Sequence, residues 1–76
     1  MTVEKLETLI EALEEFKKCD EYLCKLDAGV SRITVDFCYD GCEEFDSGEA
    51  KKVMVNALRD HYYRRRDAAA KLIEEA

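Results

Sequence analysis

Apolar residues recur at three- and four-residue steps near both ends of the chain, and this periodicity limits the possible folds more than any other feature. Near the start the series is Val3, Leu6, Leu9, Ile10, Leu13, Phe16 and Leu23, with mostly Glu and Lys between them. We expect a helix from about residue 3 to about residue 27, capped by Thr2 and ended near Gly29. Asp20 interrupts the series, so either the helix bends there or Asp20 has a partner.

A second helix is expected from about residue 48 to about residue 74, with Asp46 or Ser47 as its cap and Glu49 in a capping box. Its inward stripe is predicted to be Ala50, Met54, Ala57, Leu58, His61, Arg65, Ala68 and Leu72. Arg65 and Asp20 are then charges in the middle of two apolar stripes. Because a solitary buried charge is costly, the sequence predicts an ion pair between them.

The segment between the helices alternates apolar and polar residues and predicts a strand with Ile33, Val35 and Phe37 on one face. We expect a three-residue loop with Gly41 in the left-handed conformation, which sets Cys38 opposite Cys42 and Val35 opposite Phe45. A short second strand is expected at residues 42 to 46. The predicted fold class is α+β, a single domain over residues 1 to 76 in which two long helices flank a two-stranded β-hairpin (α-β-β-α).

Four cysteines, Cys19, Cys24, Cys38 and Cys42, are clustered in the first two thirds of the chain. Thiols stay reduced in the cytosol, so such a cluster in a small intracellular chain favours a metal over disulfides. The spacing C-x4-C followed by C-x3-C is close to that of structural zinc sites. The sequence therefore predicts that a structural zinc ion is held by these cysteines and staples the fold.

Alternatives to a four-cysteine zinc site remain open. Cys19 and Cys24 would point about 140° apart on a regular helix, so both can bind one metal only if the helix ends or distorts near Asp20. His61 is a candidate substitute ligand, although a lone histidine on a helix stripe is more often a hydrogen-bonded core residue. The cysteines can also serve simply as small apolar side chains.

The net charge of −6 is unevenly distributed along the chain. Residues 1 to 49 carry 14 acidic and 5 basic side chains, whereas residues 50 to 76 carry 4 acidic and 7 basic ones. An acidic surface repels nucleic acid and favours basic protein surfaces, including those that normally hold nucleic acid. We expect a protein partner of that kind to be bound by six carboxylates: Asp36, Asp40, Glu43, Glu44, Asp46 and Glu49.

Other functional classes have less support in the sequence. The run Tyr62-Tyr63-Arg64-Arg65-Arg66 suggests an alternative, a zinc-stapled accessory or DNA-associated module whose arginines contact phosphates. No motif of nucleophilic, phosphate-binding or metalloprotease chemistry occurs, so we expect no enzyme. The first residues show no apolar signal segment and no apolar run could span a bilayer, so we expect a soluble protein in the cytoplasm of a bacterial host.

The segment R-I-T-V-D-F-C-Y-D-G-C and the helix V-M-V-N-A-L-R-D-H-Y-Y-R-R-R-D-A-A-A-K-L-I carry a resemblance that covers roughly residues 30 to 73. In size, charge and element order, the chain resembles small acidic proteins encoded by phages and prophages of Gram-positive bacteria. Among these it most resembles the anti-CRISPR inhibitors of Cas9. The resemblance implies a non-enzymatic inhibitor whose acidic surface docks on the nuclease and blocks the loading of guide or target. It carries over no functional residues.

Overall fold

The computed structural model describes residues 2–75 and contains two helices joined by a two-stranded hairpin. The elements are α1 (Val3–Ala28), β1 (Ile33–Phe37), β2 (Gly41–Phe45) and α2 (Gly48–Glu75). The strands are antiparallel. This confirms the predicted α+β class and the order α-β-β-α, and the bounds of the elements agree with the sequence within one or two residues.

The ends of α1 are set by the residues that the sequence indicated. The Thr2 side chain accepts a hydrogen bond from the backbone N–H of Lys5 at 3.2 Å and so caps the first turn. At the other end, the Gly29 N–H donates to the carbonyl oxygens of Lys25 and Leu26, with a φ of 121° that suits glycine. Between these caps α1 is one uninterrupted helix, so it neither ends nor restarts at Asp20.

The contact between the helices centres on small and apolar side chains, of which Ala12, Cys19, Leu23 and Ala69 are buried. Cys19 is fully buried and Asp20, the next residue, is exposed. One residue turns a helix by about 100°, so a contact stripe that runs through Cys19 leaves Asp20 on its flank. The placement of Asp20 within the buried stripe was therefore wrong.

Among residues 2–75, three ion pairs join α1 to α2, and the predicted pair of Asp20 with Arg65 is not one of them. Arg65 pairs with Glu15, Arg66 with Asp20 at 3.0 Å, and Arg59 with Asp27 at 3.3 Å. Arg65 and Arg66 lie on opposite flanks of the helix contact, because they are about 100° apart on α2. The prediction paired the right acid with the wrong one of two adjacent arginines.

The buried face of α2 is also rotated from the predicted one. Tyr62, Ala69 and Ile73 turn towards α1 and are buried or half-buried, whereas His61 is exposed. The rings of Tyr62 and Tyr22 lie 5.0 Å apart between the helices. Tyr62 and His61 point about 100° apart on the helix, so a buried stripe that contains Tyr62 leaves His61 outside it. The prediction that His61 faces inward was therefore wrong.

The hairpin pairs two residues away from the predicted register. Phe37 is opposite Gly41, Asp36 is opposite Cys42 and Ile33 is opposite Phe45, so Cys38 lies in the turn and not across from Cys42. The loop has three residues, 38 to 40, as expected. Gly41 does take the left-handed conformation, with a φ of 84°, but as the first residue of β2 instead of the last residue of the loop.

The hairpin packs on α2 beside the end of α1. Ile33 and Val35 line a shallow apolar groove with Met54, Ala57 and Leu58 of α2. Lys51 Nζ ties the ends of the hairpin to α2, since it donates to the Asp46 carbonyl oxygen at 3.2 Å and to that of Ser31 at 3.5 Å. Within residues 2–75, neither helix has an apolar stretch long enough to cross a membrane.

Candidate protein-binding surface

The hairpin and the four residues after it form the most acidic part of the structure. We call residues 33–49 the acidic ribbon. All six carboxylates of the predicted binding set lie on it and are exposed: Asp36, Asp40, Glu43, Glu44, Asp46 and Glu49. The structure therefore gathers these side chains in one region without burying any of them.

The carboxylates surround the ribbon instead of forming one flat face. Asp36 is opposite Cys42 and Glu44 is opposite Thr34, so these four side chains share one face of the hairpin. It is the outer face, because Ile33 and Val35 lie on the other one and line the groove with α2. Glu43 is opposite Val35 and so lies on the face that turns towards α2. The other three lie in the turn, after β2 and in the first turn of α2.

Lys51 and Arg32 offset part of this charge. Lys51 Nζ lies 3.2 Å from the Asp46 carbonyl oxygen. Arg32 donates to Glu44 at 3.4 Å, with more than half of each side chain exposed. An exposed pair of this kind contributes only about 0–1 kcal/mol and is screened by salt. The ribbon therefore presents a negative field that a basic surface can complement.

Two aromatic side chains project at the tip of the ribbon, and the sequence interpretation assigned them no binding role. Tyr39, in the turn, is 97% exposed, and Phe37, at the end of β1, is 48% exposed. Aromatic residues dominate the binding energy of many protein interfaces. The available signal was the position of Tyr39 itself, since a large aromatic in a three-residue turn has no core to enter.

The structure does not gather the predicted zinc ligands. Cys19 is buried between the helices and Cys24 is exposed on the same unbroken helix; Cys38 lies in the turn and Cys42 in β2, both exposed. Among residues 2–75 no group of three or more Cys, His, Asp and Glu side chains is arranged to hold a metal ion. The four thiols do not fit a shared site in this conformation, and zinc binding stays a prediction.

Cys19 instead belongs to a polar cluster at the helix contact. Its Sγ donates to Glu15 Oε1 at 3.2 Å, and Arg65 donates to the same oxygen. The bond from Cys19 and then that from Arg65 lower the pKa of the Glu15 carboxyl. Burial, followed by the bond to Glu15, raises the pKa of the Cys19 thiol, so this cysteine is a poor nucleophile at neutral pH.

The basic residues of α2 are largely engaged within the molecule. Arg65 and Arg66 bind carboxylates of α1, and the Arg66 guanidinium also lies over the rings of Tyr63 and Phe16, at 5.0 and 5.8 Å from their centres. Arg64 is exposed on the side of α2 away from α1. The arginine run is therefore mostly a means of joining the helices, which leaves limited charge for phosphates.

Comparison of the chain with protein families, with curated proteins and with solved structures found no match.

Proposed function

We propose that this protein is a non-enzymatic inhibitor of the anti-CRISPR type, which binds a Cas9-like nuclease through the acidic ribbon and blocks nucleic-acid loading. The observation that supports it best is the set of six exposed carboxylates on the acidic ribbon, whose tip bears an exposed tyrosine. The choice of a Cas9-like nuclease as the partner rests on the sequence resemblance.

The physical basis is complementarity with a surface built for phosphates. A nuclease that holds nucleic acid has a positively charged channel, and a negative ribbon is attracted to it over several ångströms. Such attraction mainly raises the association rate and selects the partner. Tyr39 and Phe37 add the apolar contact on which a stable complex depends.

The alternative, a DNA-associated module that uses α2, has less support. Two of its three arginines, Arg65 and Arg66, already have carboxylate partners on α1. Removing them from those partners would cost part of the helix contact. The acidic ribbon beside α2 would in addition repel a duplex.

The test is binding of target DNA by the guide-loaded nuclease, with and without this protein, for several Cas9 orthologues. We expect the protein to reduce DNA binding by at least one orthologue, and the effect to weaken as salt is raised. Unchanged DNA binding and cleavage at a large molar excess, for every orthologue, would exclude the anti-CRISPR proposal. Binding of DNA by the protein alone would favour the alternative.

A substitution at the ribbon tip tests whether the tip takes part in binding. Tyr39→Ser should leave the stability unchanged, because the side chain is 97% exposed. It should weaken inhibition by about 10- to 30-fold, as expected for the loss of an aromatic anchor worth roughly 1.5–2 kcal/mol. Equal inhibition by the variant and the original protein would show that the tip lies outside the interface.

A further inference from the structure

α1 carries two apolar stripes, and only one of them faces α2. Both follow alternating steps of three and four residues. The stripe turned towards α2 is Leu9, Ala12, Phe16, Cys19, Leu23 and Leu26; the second is Val3, Leu6, Ile10 and Leu13. All four residues of the second stripe are exposed by 46% or more. An apolar surface that continues beyond the contact with one neighbour is typical of a helix that has a second neighbour.

The second stripe lies on α1 beyond the flank that carries the ion pair of Asp20 with Arg66. Arg66 lies over the rings of both Phe16 and Tyr63, which places these two aromatic residues on the same side. We call the second stripe of α1 the open helix face: Val3, Leu6, Ile10 and Leu13.

The opposite side of the helix pair is already occupied in part. The hairpin packs there against Met54, Ala57 and Leu58. Further along the same side, Glu15 and Arg65 pair above a groove that Leu72 also lines. A second molecule can therefore approach the open helix face without displacing the acidic ribbon.

The whole molecule exposes more surface than a chain of this mass normally does. Its accessible area is 6101 Å², whereas a compact monomer of its mass exposes roughly 4,800 Å². Its radius of gyration is 16.4 Å and its thinnest extent 14 Å, against about 11 Å expected for the radius of a compact domain. The helix pair is thus a single layer, while stable domains have at least two layers packed together.

We propose that a second copy of this chain covers the open helix face, so that two helix pairs pack as a four-helix dimer. The excess area, roughly 1,300 Å² per chain by the scaling above, is spread over the whole molecule, and burial of the ~800 Å² that each partner contributes to a standard interface would remove more than half of it. The second stripe also has heptad spacing, with β-branched Val3 and Ile10 alternating with Leu6 and Leu13. That pattern favours the pairing of two helices.

The test is the mass of the protein in solution, measured by sedimentation equilibrium over a range of concentrations. The chain is 8.8 kDa, and we expect twice that mass at micromolar concentrations. The melting temperature should rise with protein concentration, because dimer formation stabilises only the folded state. A monomer at 100 µM, or a species larger than the dimer, would overturn the proposal.

Two matched substitutions locate the interface. Leu13, on the open helix face, is 49% exposed, and Leu72, on the opposite side of the pair, is 47% exposed. Leu13→Arg should weaken the dimer by at least about 100-fold, since it places a charge in an apolar contact, while Leu72→Arg should leave it intact. Equal effects of the two substitutions would contradict the assignment of the face.

A milder variant keeps the test informative if Leu13→Arg fails to fold. Leu13→Ala removes apolar area without adding a charge, so helical circular dichroism at high concentration should be retained while the dissociation constant rises. An unchanged dissociation constant for Leu13→Ala would also count against the proposal.

Discussion

The cluster of Cys19, Glu15 and Arg65 makes the helix contact sensitive to acid. Because the pKa of Glu15 is lower in the folded protein than in the unfolded chain, its ionised form stabilises the fold at neutral pH. That stabilisation is present above the unfolded pKa of about 4.3. It is lost as the pH falls through the lower pKa of the folded state.

The variant Glu15→Gln tests this sensitivity. At pH 7 it should melt at a lower temperature than the original protein, and the difference should shrink as the pH is lowered from about 5 to about 3. Melting curves followed by circular dichroism over that range measure the difference. A constant difference at every pH would show that Glu15 acts through its shape and not through its charge.

Thiol reactivity distinguishes a protein with three exposed cysteines from one in which all four cysteines bind zinc. In the native protein Cys24, Cys38 and Cys42 are exposed and should react rapidly with a thiol reagent, whereas buried Cys19 should react only as the protein unfolds. The count of fast thiols in metal-free buffer, before and after denaturation, measures this. Protection of all four thiols until a chelator is added, together with about one equivalent of zinc, would establish the metal site instead.

At the scale of elements, the turn glycine of the hairpin should be hard to replace. Gly41 has a φ of 84°, and a Cβ there would meet no atom within 4 Å, so the cost of a side chain is conformational alone. Gly41→Ala should destabilise the hairpin by about 1–2 kcal/mol. Gly41→Asn should cost less, because asparagine tolerates the left-handed region.

Hydrogen exchange of the strand amides is the suitable measurement for these two variants. Faster exchange in β1 and β2 for Gly41→Ala, with smaller changes in Gly41→Asn and in the α1 amides, is expected because the hairpin opens more easily than the helix pair. If the two variants exchange alike, the left-handed conformation does not govern the hairpin.

The helices and strands could be predicted from the sequence because their signals are local. Thr2, Gly29 and the alternation of Ile33, Val35 and Phe37 fix ends and periods through contacts a few residues apart. The register of the hairpin and the buried face of each helix depend on longer-range packing. With Gly41 in β2 instead of the loop, every pair of the hairpin shifts. With Tyr62 instead of His61 on the buried stripe, a different face of α2 contacts α1. The spacing of apolar residues along the sequence does not determine either outcome.

In the candidate site, too, some features depend on local sequence and others on long-range packing. The exposure of the carboxylates could be predicted, because charges in a short hairpin are exposed whichever register it takes; their role in binding stays a prediction. A shared zinc site requires four side chains from three elements to converge, and the short-range spacing of the cysteines does not determine whether they do. The second stripe of α1 was visible in the spacing, but it was merged with the first into one broad apolar series.

At the scale of the whole molecule, the helix pair is a single layer with different surfaces on its two sides. The hairpin covers part of one side and carries the acidic ribbon, while the other side is the open helix face. In the proposed dimer the two ribbons stay accessible, because they lie on the sides away from the contact. Binding of a partner and pairing of two copies would therefore depend on different residues.

We expect the position of the acidic charge, and not its amount, to determine whether the protein binds its proposed partner. Two triple variants have the same formal charge: Asp36, Glu43 and Glu44 to Lys on the ribbon, and Glu7, Glu14 and Glu21 to Lys on α1. Each raises the net charge from −6 to zero, because every reversal adds two. All six residues are exposed.

The deciding measurement is inhibition of target-DNA binding by a Cas9 orthologue that the original protein inhibits. We expect the ribbon variant to lose inhibition, mainly through slower association, and the α1 variant to retain it. Circular dichroism should show both variants folded, since exposed charges contribute little to stability. Equal inhibition by the two variants, or loss in the α1 variant alone, would contradict the assignment of binding to the ribbon.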